Sequence, residues 1–173
     1  ASVKASANLM LDATASIGLE SNHDLADVIA YSSCKGLFGL TGGAFIAFNE
    51  EPKVEVDSFY LDLFSHIDKK MTGPYHAILS LAGVLRIHSD FREAVVINKA
   101  KFVRDYKKYL TFPELSQPLL CTKVACDISS SDSLAVLYKP RVKDPGSVVC
   151  HLGEVHLKGL ARGDILDALE VSK

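Results

Sequence analysis

Long apolar runs are missing from this chain: no uninterrupted stretch approaches the roughly 18 residues that a membrane-spanning helix needs. Basic clusters are missing too. Nineteen lysines and arginines nearly balance 21 aspartates and glutamates, for a formal net charge of -2. No surface for nucleic acid or for an anionic membrane is therefore expected. Cysteine is sparse, at four residues, Cys34, Cys121, Cys126 and Cys150. No two of them form a Cys-x-x-Cys pair, which argues against a disulfide framework and against a zinc site. Free thiols in a reducing cytoplasm fit that usage. The glycine-rich "GLFGLTGG" lacks the Gly-Lys-Ser/Thr of a P-loop and misses the dinucleotide fingerprint. The opening stretch "ASVKASANLMLDATAS" has neither the charged start nor the apolar centre of a secretory leader, so none is expected.

What is present suffices for a core: 173 residues, 48% of them apolar, the size of one domain or two small ones. Asn8 to Ala13 reads as a short buried strand with an aspartate at its tip, "DVIAYSS" as a second strand and "GGAFIAFNE" as a third. None alternates cleanly, which predicts strands covered on both faces, as in an α/β sheet. A Gly-Pro break at Gly73-Pro74 precedes a helical period that places Ile78, Leu81, Ala82 and Leu85 on one face. A second helix carries Phe91, Val95, Phe102, Tyr106 and Leu110. From Leu120 the chain turns strand-like in "LLCTKVACDI", "LAVLYKP" and "SVVCHLGEV", and "GLARGDILDALEV" reads as a closing amphipathic helix. The expected fold class is α/β, divided into residues 1–74, part of a larger α/β sheet, and residues 75–173, a helix-led α+β unit.

Two charged residues stand where such sheets gather ligands. Asp12 ends the first strand, and Lys35 follows the second within "AYSSCKGLFGLTGG". Each also has a plain structural role, Asp12 as a strand-end cap and Lys35 as a solvated loop charge. A lysine that loses its proton forms imines with aldehydes, and pyridoxal phosphate is the common biological aldehyde. That cofactor needs a carboxylate against its ring nitrogen, which Asp12 offers. Ser16, Ser32 and Ser33 offer hydroxyls for its phosphate.

"LDATASIG" followed by "DVIAYSSCKGLFGLTGGAFIAF" resembles the cofactor segment of the class V, fold-type I pyridoxal-phosphate aminotransferases. The likeness is strongest to the branch that moves nitrogen from 2-aminoethylphosphonate to pyruvate. That family reads Asp-Ala-x-Ser-Ser-x-Gly, then Ser-Ser-x-x-Lys-x-x-x-Gly-x-x-Gly. Here Ser32, Ser33, Lys35, Gly39 and Gly42 stand in a similar order, with the serine-to-lysine interval one residue shorter. Downstream, Thr72, Pro74 and His76 match a Thr-x-Pro-x-His helix start, and "DPGSVVCHLGEV" matches a late Pro-Gly segment. The resemblance spans the chain as the C-terminal half of an enzyme about twice this length.

The resemblance implies that Lys35 binds the cofactor as an imine and acts as catalytic acid and base. It implies that Asp12 pairs with the ring nitrogen, and that Ser32, Ser33 and Thr72 serve the phosphate, Thr72 across a homodimer. It further implies an N-terminal half of the same fold as partner, and a small amine and a 2-oxo acid as substrates. Where the family places a substrate-clamping arginine this chain has His151, with Arg162 or Arg141 as the other candidates. Two alternatives stay open: a class V aminotransferase of another specificity, such as the alanine–glyoxylate type, and a non-catalytic dimerisation or scaffold domain.

Overall fold

The computed structural model describes residues 7–51, 56–69, 72–131, 137–138, 145–151 and 169–171. The first three strands form one mixed sheet, β1 (Met10–Asp12), β2 (Val28–Ser32) and β3 (Ala44–Phe48), in that spatial order. β1 and β2 are parallel, with Asp12 beside Ala30, whereas β2 and β3 are antiparallel, with Ala30 beside Ile46. A parallel pair needs a crossover of a dozen or more residues. Here it is the stretch from Ala13 to Asp27, which contains a single 3-10 turn at His23–Leu25. The antiparallel return is the lysine loop, residues 33–43.

Three helices follow. α1 (Leu63–Asp68) is capped by Asp62, whose carboxylate accepts from the Phe64 N–H at 3.0 Å and from the Ser65 hydroxyl at 2.5 Å. This meets part of the unpaired first turn. α2 (Tyr75–Val84) starts at Pro74 with no side-chain cap, and a 3-10 turn joins it to α3 (His88–Tyr106). Asp90 in the first turn and Arg104 in the last complement the α3 dipole,. Val95, Asn98, Lys99, Phe102 and Val103 are its buried residues, at the i, i+3, i+4, i+7, i+8 spacing of a core-facing stripe.

The last part builds two small sheets. β4 (Cys121–Val124), β6 (Leu137–Tyr138) and β7 (Ser147–Cys150) associate in the order β4-β7-β6, and β5 (Ile128–Ser130) pairs with β8 (Leu169–Val171). One core, Phe102, Val124, Ile128, Val149 and Leu169, lies between α3 and these strands. A second joins Leu19 and Phe38 to Val95 and Leu120. The sheets therefore fall on either side of residue 74, while the second core spans it.

Three sequence expectations need correction. The first sheet is not covered on both faces: Met10 is 74% and Ile46 49% exposed. These two residues, with Val28, Tyr60, Leu61 and Phe64, line a largely apolar groove of about 420 Å³. α2 buries Ala77 and Leu81, leaving Ile78 and Leu85 half exposed, because it meets the lysine loop along a narrow strip. The closing segment ends in β8, not in a helix, since Leu169, Glu170 and Val171 pair with β5; residues 152–168 lie outside the described residues. Among the described residues no helix is long and apolar enough to cross a membrane.

Candidate functional site

Parallel pairing puts the carboxyl ends of β1 and β2 side by side, so Asp12 and the start of the lysine loop emerge at the same edge. Being in register with Ala30 and Ile46, Asp12 shares their face of the sheet,. The Thr14 N–H donates to its Oδ1 at 3.0 Å. Bonds from Thr14, first its side chain and then its amide, hold the Asp12 carboxyl below the usual carboxylate range. The positive charge of Lys35 acts in the same direction. Asp12 is thus an exposed carboxylate that stays ionised with an ammonium in electrostatic reach.

The loop that presents Lys35 is held from four sides. Ser33, fully buried, donates its hydroxyl to the Leu40 carbonyl at 2.5 Å and accepts from the Gly43 N–H at 3.0 Å, closing the loop on itself. The Gly36 N–H reaches the Thr14 carbonyl at 3.2 Å. A methyl on Gly36 would stand 2.5 Å from the Ile17 carbonyl oxygen, so glycine is required for the loop to meet the crossover that follows the Asp12 strand. On the α2 side, the Leu40 N–H donates to Ser80 Oγ at 3.0 Å, and Gly39 lies against Leu81. On the α3 side, His88 Nε2 lies 2.9 Å from the Gly36 carbonyl. A carbonyl only accepts, so that ring nitrogen carries the proton.

Lys35 opens a 3-10 turn, Lys35–Leu37, and has a left-handed backbone, φ 56°, as does Phe38 at φ 60°. Left-handed non-glycine residues cost about 1–3 kcal/mol each and persist where their surroundings over-determine them. Phe38 is fixed by burial against Phe91 and His88, with ring centroids 5.4 and 5.1 Å away. Lys35 itself is exposed.

The remaining predicted site residues divide. Ser33 already uses its hydroxyl proton inside the loop, so its place here is structural and a phosphate would find no donor in it. Ser32, at the end of β2, is half-buried with its hydroxyl 3.3 Å from Cys34 Sγ. Ser16 meets His23 Nε2 at 2.9 Å. Thr72 is exposed ahead of α2 and does not cap it.

His151 is not at this site's surface: it is 1% exposed. Its Nε2 lies 2.7 Å from Thr122 Oγ1, its carbonyl accepts from Asn98 at 2.7 Å, and its ring packs on Phe102. Burial first, then the charge of Lys99, pushes its pKa down to about 3, so it stands as a neutral core histidine. Arg162 and Arg141 lie outside the described residues. Among the described residues no group of three or more histidines, cysteines or acids could hold a metal ion.

Sequence reasoning missed Thr14, Ser80 and His88, the residues that position Asp12 and the loop. Thr14 sits inside the quoted aspartate segment, but Ser80 and His88 carry no local signal because their partners are some 40 and 52 residues away. The donor set suits pyridoxal phosphate at two points, an ionised carboxylate for a protonated ring nitrogen and an exposed lysine for an aldehyde. It does not furnish the phosphate end through Ser33. No family model matches this chain, and no curated protein matches it.

Proposed function

We propose that this chain carries the lysine side of a pyridoxal-phosphate site and works as part of an aminotransferase. The observation that carries this reading is the meeting of Asp12 and Lys35 at the carboxyl ends of two parallel strands. There a left-handed backbone and four sets of loop contacts hold the loop that presents the exposed lysine, whose charge reaches an ionised carboxylate. When bound, the cofactor supplies an electron sink for carbanion chemistry at an amine-bearing carbon.

The chain's own residues have distinct parts. Lys35 Nζ would hold the aldehyde and would serve as the base and acid that moves a proton. Asp12, kept anionic by Thr14, would favour a proton on the cofactor's ring nitrogen. Ser33, Gly36 and His88 fix the lysine's position, which matters because proton transfer requires hydrogen-bond reach. The phosphate falls to Ser32, to Thr72 of a second subunit, or to an N-terminal half of the same fold.

On this reading the enzyme is cytoplasmic and homodimeric and moves nitrogen from a small primary amine, 2-aminoethylphosphonate, to pyruvate. Since His151 is buried, the donor's acidic group falls to an arginine such as Arg162, and the alternative is another specificity, the alanine–glyoxylate type. The scaffold alternative predicts no turnover with any donor. The test is turnover by the full natural protein, with each amine paired with pyruvate and then with glyoxylate. Phosphonate-dependent alanine formation supports the first specificity, and alanine-dependent glycine formation the second. Absence of both, with Lys35→Ala no different from the parent, refutes the aminotransferase.

A further inference from the structure

β4 and β7 run antiparallel with Cys121 directly opposite Cys150. Both cysteines share the half-buried face of the ladder, while Thr122, Val124, Ser147 and Val149 lie on the other face. Hydrogen bonding fixes the kind of pair they make. The His151 N–H donates to the Leu120 carbonyl at 2.9 Å, so Leu120 and His151 are a hydrogen-bonded pair. By the alternation of antiparallel ladders, Cys121 and Cys150 are the adjoining non-hydrogen-bonded pair. The Cys121 N–H agrees, turning away from β7 to the Pro118 carbonyl at 3.4 Å.

Residues at such positions have Cα atoms about 4.5 Å apart, inside the window of roughly 4.4–6.8 Å that a disulfide spans. Their Cβ atoms stand about 4.5 Å apart, the close end of the range for facing residues, against roughly 3.5–4.5 Å in a disulfide, so closure draws the strands together by up to about 1 Å. A bridge closed under that draw is more readily reduced than an unstrained structural one. Cys150 also packs on the core of Leu19, Phe38, Val95 and Leu120, so the draw bears on the cluster that seats the lysine loop.

We infer that Cys121 and Cys150 are a reversible dithiol–disulfide pair, closed across the β4–β7 ladder by a small disulfide such as oxidised glutathione. One protein thiolate attacks a sulfur of the oxidant, breaks its S–S bond and releases one glutathione. The second protein thiolate then displaces the other glutathione from the mixed disulfide. One S–S bond forms in the protein and one is lost from the oxidant. Two electrons and the two thiol protons pass to the two glutathiones released. Burial first, then the charge of Cys150, pushes the Cys121 thiol up to about 11 against the opposing charges of Lys99 and Lys35, so Cys121 is poorly disposed to attack first. None of this rests on the cofactor reading.

The native full chain is equilibrated over a series of reduced-to-oxidised glutathione ratios, acid-quenched, alkylated and mapped by mass spectrometry. The expected product is a Cys121–Cys150 cross-link in roughly tenfold excess over any bridge to Cys34 or Cys126. It reopens with dithiothreitol and loses its selectivity when the chain is oxidised in urea. Cys150→Ser removes the cross-link and leaves Cys121 largely unmodified. Two outcomes overturn the inference: both cysteines alkylated throughout the series in the native chain, or bridges distributed as in the urea-unfolded chain.

Discussion

Replacing His151 with glutamine should flatten the pH dependence of stability between about pH 6.5 and pH 4. In the folded protein burial holds the imidazole neutral down to about pH 3, whereas the ordinary value is 6.5. Between those two values the unfolded chain binds a proton that the folded chain does not, so stability falls as pH falls and is fully present above 6.5. At about 1.36 kcal/mol per unit, the loss is about 2 kcal/mol at pH 5 and reaches about 5 kcal/mol near pH 3. That is a large share of the roughly 5–15 kcal/mol that holds a domain folded. Asp12, whose carboxyl is held low, adds loss in the same direction only in the acid range of carboxylates, and equally in both proteins. The variant gives up the Thr122 contact, a roughly constant offset of about 1 kcal/mol. Urea denaturation at a series of pH values measures both slopes. Parallel pH profiles for parent and variant, or a His151 ring titrating near 6.5 by NMR, would refute the buried neutral imidazole.

Four further substitutions probe the loop and the carboxylate. Ser33→Ala leaves the Gly43 N–H and the Leu40 carbonyl without their hydroxyl partner and should cost about 1–3 kcal/mol in urea unfolding. Limited proteolysis should then cut within residues 34–42. Gly36→Ala places a methyl against the Ile17 carbonyl and should destabilise by about 1–3 kcal/mol, whereas Gly42→Ala, which meets nothing within 4 Å, suffers only the strain of its φ of 117°. Asp12→Asn should weaken pyridoxal phosphate binding by about 10–100-fold in a spectral titration, the size of one lost charge-assisted contact; unchanged affinity would remove Asp12 from the site.

Much of the scaffold was legible because local chemistry set it. The apolar runs around Leu11, Ile29 and Phe45 are punctuated by aspartate, serine and glycine, and they became the three paired strands. The Gly-Pro break marked the start of α2. The shared sheet edge of Asp12 and the lysine loop was legible for the same reason, since parallel pairing sets the carboxyl ends of neighbouring strands side by side. What was not legible depends on partners distant in sequence. Asn98 and Lys99 are polar residues on a helix, yet both are buried because backbone carbonyls of His151, Gln117 and Pro118 receive them. His151 read as a substrate contact, but its neighbours Thr122 and Phe102 place it in the core. Ser33 read as a phosphate ligand because a hydroxyl in a turn is ambiguous until its acceptor, here Leu40, is known. At the last three described residues no local pattern separates a helix end from a strand, and only pairing with β5 decides it.

Borohydride reduction of the protein in the presence of pyridoxal phosphate, followed by peptide mapping, identifies the lysine that binds the aldehyde. The account predicts that the reduced cofactor is found on Lys35 in the full natural protein, and that Lys35→Ala loses that label without gaining it elsewhere. A label spread over exposed lysines such as Lys107 and Lys108, or one unaffected by Lys35→Ala, would contradict it.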